Sequence, residues 1–287
     1  MKTEGKNRIM FRGFIIILAF FSVSVAAQQK IKLVILHTND THSQIEPTEK
    51  SVLKTSDRGG YARRMGMINQ IRANEKYVLL VDAGDFSQGT PYFNFYNGRI
   101  EVEGMNRMRY DAVTLGNHEF DNGVDTLATI LKNAQFAVLN CNYEVNNTSL
   151  KDIVKPYRIL ERGGLRIGIM ALGVDPKSLI FEKNYKEIVY DDPVEKAIEI
   201  STLLKKKEKC DVIICLSHLG GDSIKQTMND YVIAAKTKYI DVIIGGHSHS
   251  LITDTHVKNA DGKPMVIAQM GKSGMYLGKV ELEVEKK

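Results

Sequence analysis

Several residue types are scarce in this 287-residue chain, and their scarcity excludes whole classes of protein. There are only 6 prolines, and charged residues make up 25% of the chain against 43% for hydrophobic residues. These proportions are typical of an ordinary globular protein. They exclude a disordered chain, a collagen-like chain and a coiled coil.

Cysteine is also scarce, with 3 residues and no C-x-x-C motif. Without that motif, a thiolate metal site is not expected. Cys210 and Cys215 flank a short apolar run, and a strand there would point their side chains to opposite faces. We therefore expect the cysteines to be small buried hydrophobic residues, with at most one disulfide, which would involve Cys141.

The long apolar run of the chain lies near its N-terminus. Residues 13–25 follow a basic segment and lead into the small residues Ala26 and Ala27. This order is typical of a secretory signal peptide, so we assign residues 1–27 to one and expect a secreted or periplasmic protein. An uncleaved membrane anchor is the alternative. The run is short for a membrane span, and no stable span is expected after cleavage.

Basic strips of the kind that bind nucleic acid are missing. Residues 1–27 carry four basic residues and one acidic residue, so the formal net charge of +5 falls to +2 without them. The one basic run, residues 205–209, lies where a predicted helix ends, and cations are favourable at that end of a helix. We expect no nucleic-acid-binding surface.

Short β-branched runs alternate with helical patterns along the rest of the chain, which is typical of an α/β protein. The predicted strands are residues 31–36, 77–81, 111–114, 137–139, 157–161, 165–172, 212–216, 242–244, 265–269 and 276–284. The predicted helices are residues 60–74, 101–108, 124–133, 193–207 and 223–236. This mixture predicts two sheets or one large mixed sheet, covered by helices. No Pro/Ser-rich linker interrupts it, so residues 28–287 are predicted to form a single domain.

Polar residues that can bind a metal follow five of the predicted strands. They are Asp40, His42, Asp85, Asn117, His118, His218, His247 and His249. Open α/β sheets bind their ligands at the carboxyl ends of the strands, so we expect these side chains to converge. The glycines at positions 84, 116, 220, 245 and 246 permit the sharp turns that this requires.

The types of side chain indicate which metals the site can hold. Carboxylate, imidazole and amide oxygen suit Mn, Zn, Fe or Mg better than copper or an iron–sulfur cluster. Asp40 and His42 can reach one ion if the chain stays extended, and the same holds for His247 and His249. With Asp85 as a bridge, the donors suffice for two ions, the arrangement that clamps both oxygens in a displacement at phosphorus.

These five blocks closely resemble the metallophosphoesterase domain of the secreted 5′-nucleotidase and UDP-sugar hydrolase family. The blocks are D-x-H, G-D, G-N-H-E, H and G-H-x-H, and the similarity extends over residues 31–284. Each block alone recurs by chance, whereas all five in order, each after a strand, are specific. The resemblance implies a calcineurin-like α/β fold, with two mixed β-sheets sandwiched between helices in four layers.

The resemblance also implies a role for each matching residue. Asp40, His42 and His249 would hold the first metal, and Asn117, His218 and His247 the second, with Asp85 bridging both. His118 and Asp121 match the catalytic pair of the family, in which the acid orients the imidazole. A metal-bound water would attack phosphorus directly in nucleotides or other small phosphate esters.

Less specific interpretations stay open for several of these residues. Asp40, Asp85 and Asn117 also favour turns, and Asp121 can cap a helix that begins near residue 122. His118 can be structural. His37 is interpreted as supporting structure, His256 as a surface residue, and Glu119 is assigned no role.

Full-length members of the resembled family carry a second, C-terminal domain that recognises the nucleotide. This chain stops at Lys287, where that domain would begin, and we expect the domain to be absent. Besides a secreted phosphohydrolase, the sequence is therefore compatible with a catalytic half that needs a separately encoded substrate-binding domain. It is also compatible with a phosphodiesterase and with a non-catalytic metal-binding protein.

Overall fold

The computed structural model describes residues 30–50, 56–221 and 228–285. The predicted signal peptide lies outside these residues. The first strands are β1 (Lys30–Thr38), β2 (Val78–Asp82), β3 (Ala112–Thr114), β4 (Ala137–Leu139), β5 (Tyr143–Glu144), β6 (Val154–Lys155) and β7 (Tyr157–Arg162). The later strands are β8 (Leu165–Leu172), β9 (Val189–Tyr190), β10 (Val212–Ser217), β11 (Val242–Gly245), β12 (Leu251–Lys258), β13 (Pro264–Met270) and β14 (Gly278–Glu285).

The helices lie between these strands and are mostly short. They are α1 (Tyr61–Asn74), α2 (Pro91–Tyr96), α3 (Arg99–Met108), α4 (Val124–Leu131), α5 (Glu182–Tyr185), α6 (Pro193–Lys206) and α7 (Asp230–Lys236). A 3-10 turn spans His118–Phe120. In the described part of the chain, none of the helices has the length and apolar character needed to cross a membrane.

Two six-stranded mixed sheets form the centre of the molecule. The first has the order β14-β1-β2-β3-β4-β6, and the second has the order β12-β13-β11-β10-β8-β7. The inner strands of both sheets run parallel, while β14, β12 and β7 pair antiparallel at the edges. The loops that follow the parallel strands therefore lie at one edge of each sheet.

Strand β1 shows how the sheets are held in layers. Leu33 and Ile35 pack toward the second sheet, while the alternating residues Val34 and Leu36 pack toward the helices. All four are fully buried, and each such side chain contributes about 1.5–3 kcal/mol. Beyond the second sheet, a third core contains residues of β8, β10, α6 and α7. The order is helix, sheet, sheet, helix, which confirms the predicted four-layer fold.

The predicted elements agree with the structure at most positions, and the clear error concerns α7. The sequence pattern predicts a helix over residues 223–236, but Met228 and Asn229 are not helical and α7 begins at Asp230. The Asn229 side chain accepts hydrogen bonds from the backbone N–H groups of Tyr231 and Val232, which caps the helix at that point. Residues 222–227 lie outside the described part.

Strand β12 is absent from the sequence prediction. Its sequence, LITDTHVK, is polar at several positions because the strand lies at a sheet edge and pairs with β13 alone. His256, expected at the surface, lies in this strand and is exposed. Cys141, Cys210 and Cys215 are free and buried, as expected for small hydrophobic residues.

Candidate dinuclear metal centre

Five loops from the two sheets meet at the carboxyl ends of the parallel strands. The loops after β1, β2 and β3 come from the first sheet, and those after β10 and β11 come from the second. Three groups of side chains have ligand atoms within 4.8 Å of one another: Asp40, His42 and His249; His42, Asp85 and His118; and Asp85, His218 and His247. The structure therefore brings the predicted metal-binding aspartates and histidines into one cluster.

The group of Asp40, His42 and His249, called the outer group below, is partly open to solvent. The two imidazole Nε2 atoms lie 3.0 Å apart, and His249 Nε2 lies 3.4 Å from Asp40 Oδ1. His42 Nε2 lies 4.0 Å from the same carboxylate oxygen. One carboxylate and two imidazoles thus face a common point, which suits a divalent cation.

In the group of Asp85, His218 and His247, called the inner group below, Asp85 and His218 are buried and His247 is half-buried. His218 Nε2 lies 3.1 Å from Asp85 Oδ2 without a hydrogen bond between them, while His218 Nδ1 donates to the Ala83 carbonyl at 2.7 Å. That hydrogen bond leaves the Nε2 lone pair free to bind a metal. The buried Oδ1 of Asn117, in the loop after β3, also has no hydrogen-bond partner among the described residues.

Electrostatics in the inner group favour a charged pair. Burial by itself raises the pKa of Asp85, but the neighbouring His218 outweighs it, and the pKa of Asp85 lies below its usual range. Burial by itself lowers the pKa of His218, but the charge of Asp85 raises it to about 10. Asp85 thus favours a positive charge at His218 Nε2, and a metal ion bound there would replace the proton and carry that charge.

The backbone at the cluster adopts a conformation that side chains other than glycine rarely take. The φ angles are 46° at Asp40, 47° at His42, 53° at Asp85, 69° at His247 and 55° at His249. Each left-handed residue costs about 1–2 kcal/mol. Strain of this kind concentrates at functional sites, where the surrounding structure maintains it.

Two glycines permit the loops after β2 and β3 to approach closely. Gly84 has a φ of 89°, and a Cβ atom there would lie 2.6 Å from the Gly116 nitrogen. A Cβ atom at Gly116 would lie 2.2 Å from Asp85 Oδ1. Any other residue at these positions would push the two loops apart.

His118 and Asp121 form a hydrogen-bonded pair beside the cluster. His118 Nδ1 lies 2.8 Å from Asp121 Oδ2, which leaves Nε2 as the ring nitrogen directed away from the carboxylate. This hydrogen bond raises the pKa of His118, with a further contribution from Asp85 against the effect of burial. Asp121 does not cap a helix, because α4 begins at Val124 with Gly123 as its N-cap.

The comparison with known families is decisive for the class of protein. The profile of the family described as calcineurin-like phosphoesterase matches residues 33–251, which is more than half of the chain. The chain belongs to the calcineurin-like phosphoesterase family. Phosphoesterases of this family use two divalent metal ions, and the clustered side chains provide suitable ligands for them.

Several 5′-nucleotidases are similar to this phosphoesterase. The snake venom 5′-nucleotidase of Naja atra is 35% identical over 281 residues, which cover 89% of this chain and 51% of the relative. The 5′-nucleotidase of Homo sapiens is 34% identical over 295 residues, with 95% and 50% covered. The structure of a 5′-nucleotidase precursor from Thermus thermophilus matches with a TM-score of 0.78 at 33% identity, with 89% and 53% covered.

These matches confirm the resemblance to 5′-nucleotidases and also define its extent. This phosphoesterase spans about half the length of the curated relatives it matches. The similarity therefore covers the catalytic domain type, while the substrates of the longer relatives belong to those proteins.

Three buried polar residues that support the site of the phosphoesterase were missed by sequence reasoning. Asn39 donates to Asp40 Oδ2 at 2.7 Å, and Gln269 donates to the Gly246 carbonyl at 2.7 Å. The carboxylate of Glu119 accepts backbone hydrogen bonds from both loops that follow β2 and β3. Of these three residues, only Gln269 had a signal in the sequence, because it is a polar residue in the otherwise apolar run of β13. Asn39 and Glu119 adjoin predicted site residues and had no signal of their own.

Among the described residues, His37 lies outside the three groups of possible metal ligands. It is fully buried in β1 opposite Gly278 of β14, and within the part of the chain that the structure describes neither of its ring nitrogens has a hydrogen-bond partner. Burial lowers the pKa of His37 to about 4, so the ring is neutral at pH 7. This placement agrees with its interpretation as supporting structure.

Proposed function

We propose that the chain is a dinuclear-metal phosphohydrolase of the 5′-nucleotidase type, which acts on nucleotides or related small phosphate esters. The observation that carries this proposal is the convergence of Asp40, His42, Asp85, His218, His247 and His249 beside the His118–Asp121 pair. Similarity to 5′-nucleotidases of three different organisms supports the same substrate class.

In this proposal the outer group holds one cation, and the inner group together with Asn117 holds the other. Asp85 would bridge the two cations, since it belongs to one group with His42 and to another with His218. The unpartnered atoms Asn117 Oδ1 and His218 Nε2 support their assignment as ligands. A buried polar atom without a partner is costly unless something binds it.

His118 would act on the phosphoryl group. The two cations, when bound, supply positive charge to the phosphoryl oxygens and lower the pKa of a coordinated water. Asp121 would fix the His118 ring through Nδ1 and favour its protonated form, so that Nε2–H donates to a phosphoryl or leaving-group oxygen. The side chain of His118 is 31% exposed, so a substrate can reach the ring.

We further propose that residues 1–27 direct the chain out of the cytosol as a signal peptide and that residues 28–287 form one domain. The basic, apolar and small-residue segments of the N-terminus support the first statement. The shared cores of the two sheets support the second. A periplasmic or secreted location follows from the signal peptide.

A second candidate is a catalytic domain that works with a separate substrate-binding domain. The observation in its favour is that the chain matches only about half of each similar 5′-nucleotidase. In this case the hydrolytic centre would be competent while recognition of the nucleoside would come from the partner.

Hydrolysis by the purified chain, followed as release of phosphate from monoesters and of the cleaved product from the other compounds, tests these proposals. The chain is assayed with Mn²⁺ or with a chelator on a panel of 5′-nucleotides, a UDP-sugar, an aryl phosphate and a phosphodiester. Metal-dependent hydrolysis of the nucleotides is expected. Hydrolysis of only the aryl phosphate or the diester would favour the catalytic half, and no hydrolysis of any compound would refute a phosphohydrolase.

A further inference from the structure

The carboxylate of Glu119 lies between the two loops that carry Asp85 and Asn117. Glu119 Oε2 accepts from the backbone N–H of Asp85 at 2.9 Å and of Gly116 at 2.7 Å. Glu119 Oε1 accepts from the backbone N–H and the Oγ of Ser87, at 3.0 and 3.1 Å. The residue is 3% exposed, so these four donors replace water completely.

The hydrogen bonds between the two loops run in both directions. Asp85 Oδ1 accepts from the backbone N–H of His118 at 2.9 Å, while Glu119 accepts from the backbone N–H of Asp85. Each loop thus supplies a carboxylate to the backbone of the other. Gly84 and Gly116 permit the close contact on which this exchange depends.

We propose that Glu119 is a positioning residue that holds the loops after β2 and β3 in the arrangement that presents Asp85, Asn117 and His118 to one pair of cations. Glu119 is no ligand itself, because each of its oxygens already accepts two hydrogen bonds. The expected effect of Glu119 on catalysis rests on the proposed function, whereas its expected effect on the structure of the two loops does not.

The chemistry of the position requires a glutamate. Four donors face two acceptor oxygens, and an amide would place an N–H group against backbone N–H groups. An aspartate keeps the charge but is one methylene shorter, so it cannot reach both loops. Residues that do not bind the metal but orient its ligands typically change metal affinity or activity by about 10- to 100-fold when they are replaced.

The test compares Glu119→Gln with Asp111→Asn as a matched control. Asp111 also accepts a backbone hydrogen bond between neighbouring strands, from Leu80 at 2.9 Å, but lies at the opposite end of β3 from the site. Three quantities are measured: amide hydrogen exchange, Mn²⁺ affinity by titration, and kcat and KM at saturating Mn²⁺.

For Glu119→Gln we expect faster exchange of the amides of Asp85, Ser87 and Gly116, a loss of Mn²⁺ affinity of about 10- to 100-fold and a comparable loss of kcat with little change in KM. Asp111→Asn should leave all of these within about twofold, even if it lowers the melting temperature. Glu119→Asp should behave like Glu119→Gln, since its charge is kept and its reach is lost.

Unchanged loop exchange and Mn²⁺ affinity in Glu119→Gln would overturn the proposal, as would full activity of Glu119→Asp. If Glu119→Gln does not fold, Ser87→Ala removes one of the four donors and should increase exchange at the same loops by a smaller factor. A wild-type chain without phosphatase activity would refute the proposed function, while exchange and Mn²⁺ affinity would still decide the role of Glu119.

Discussion

The inner and outer groups of the candidate metal centre each contain a buried aspartate and a half-buried histidine, and they differ in the third residue, which is buried in the inner group and exposed in the outer one. In the inner group the side chains of His218 and Asp85 are 0% and 2% exposed. In the outer group the side chains of His42 and His249 are 12% and 37% exposed. Water can therefore replace a lost His249 more easily than a lost His218.

This difference indicates different roles for the two metal-binding groups. The inner group contains the buried Asp85 and His218, so an ion there would be less accessible to water. The outer group opens toward the side on which His118 is exposed, where a phosphate ester would approach. We expect the outer ion to exchange faster than the inner one.

Replacing Asp85 should have the largest effect, because its carboxylate belongs to the inner group and also lies beside His42 of the outer group. Asp85→Asn removes this negative charge and should abolish turnover while weakening the binding of both ions. Metal content and phosphate release of the purified variant provide the measurement. Asp241→Asn, at the opposite end of β11, is the control. Turnover near the wild-type rate would contradict a bridging role.

His118→Ala should lower the rate of the chemical step without changing the binding of the metal ions. The variant loses the group that would donate to the phosphoryl oxygens, so kcat should fall by roughly 10²- to 10⁴-fold with metal content intact. Asp121→Ala should have a smaller effect, since the ring remains. Metal analysis and steady-state kinetics measure both quantities. Loss of the metal in His118→Ala would show that His118 is a ligand instead.

His218→Ala and His249→Ala sharpen the comparison between the two groups directly. Loss of the fully buried His218 removes a ligand that water cannot easily replace, and Mn²⁺ affinity should fall by roughly 100-fold, or about 3 kcal/mol. Loss of the more exposed His249 admits water, and a change of about 1 kcal/mol is expected. Mn²⁺ titration of each variant is the measurement. Equal losses would mean that exposure does not distinguish the groups.

Much of the fold and the composition of the cluster could be predicted from the sequence, because both depend on local patterns. Polar residues directly after apolar strands indicated where Asp40 and Asp85 lie, since parallel strands end at one edge of a sheet. The role of Glu119 could not be predicted, because it depends on backbone N–H groups of another loop. The left-handed backbone at His247 likewise results from packing between sheets.

His37→Gln should have the smallest effect on activity, since His37 lies inside β1 away from the cluster. Its effect should instead appear as a pH dependence of stability. Burial lowers the pKa of His37 to about 4, so below pH 6.5 the unfolded chain binds a proton that the folded chain excludes.

The wild-type protein should therefore lose up to about 3 kcal/mol of stability from this residue as the pH falls from 6.5 to 4, at about 1.4 kcal/mol per pKa unit. Glutamine does not titrate, so His37→Gln should lack this part of the loss, and the two proteins should approach each other in stability at low pH. Denaturant unfolding at several pH values, with chelator present, measures the difference. A constant difference across this range would show that His37 is protonated in the folded chain, and the buried ring would then need a partner.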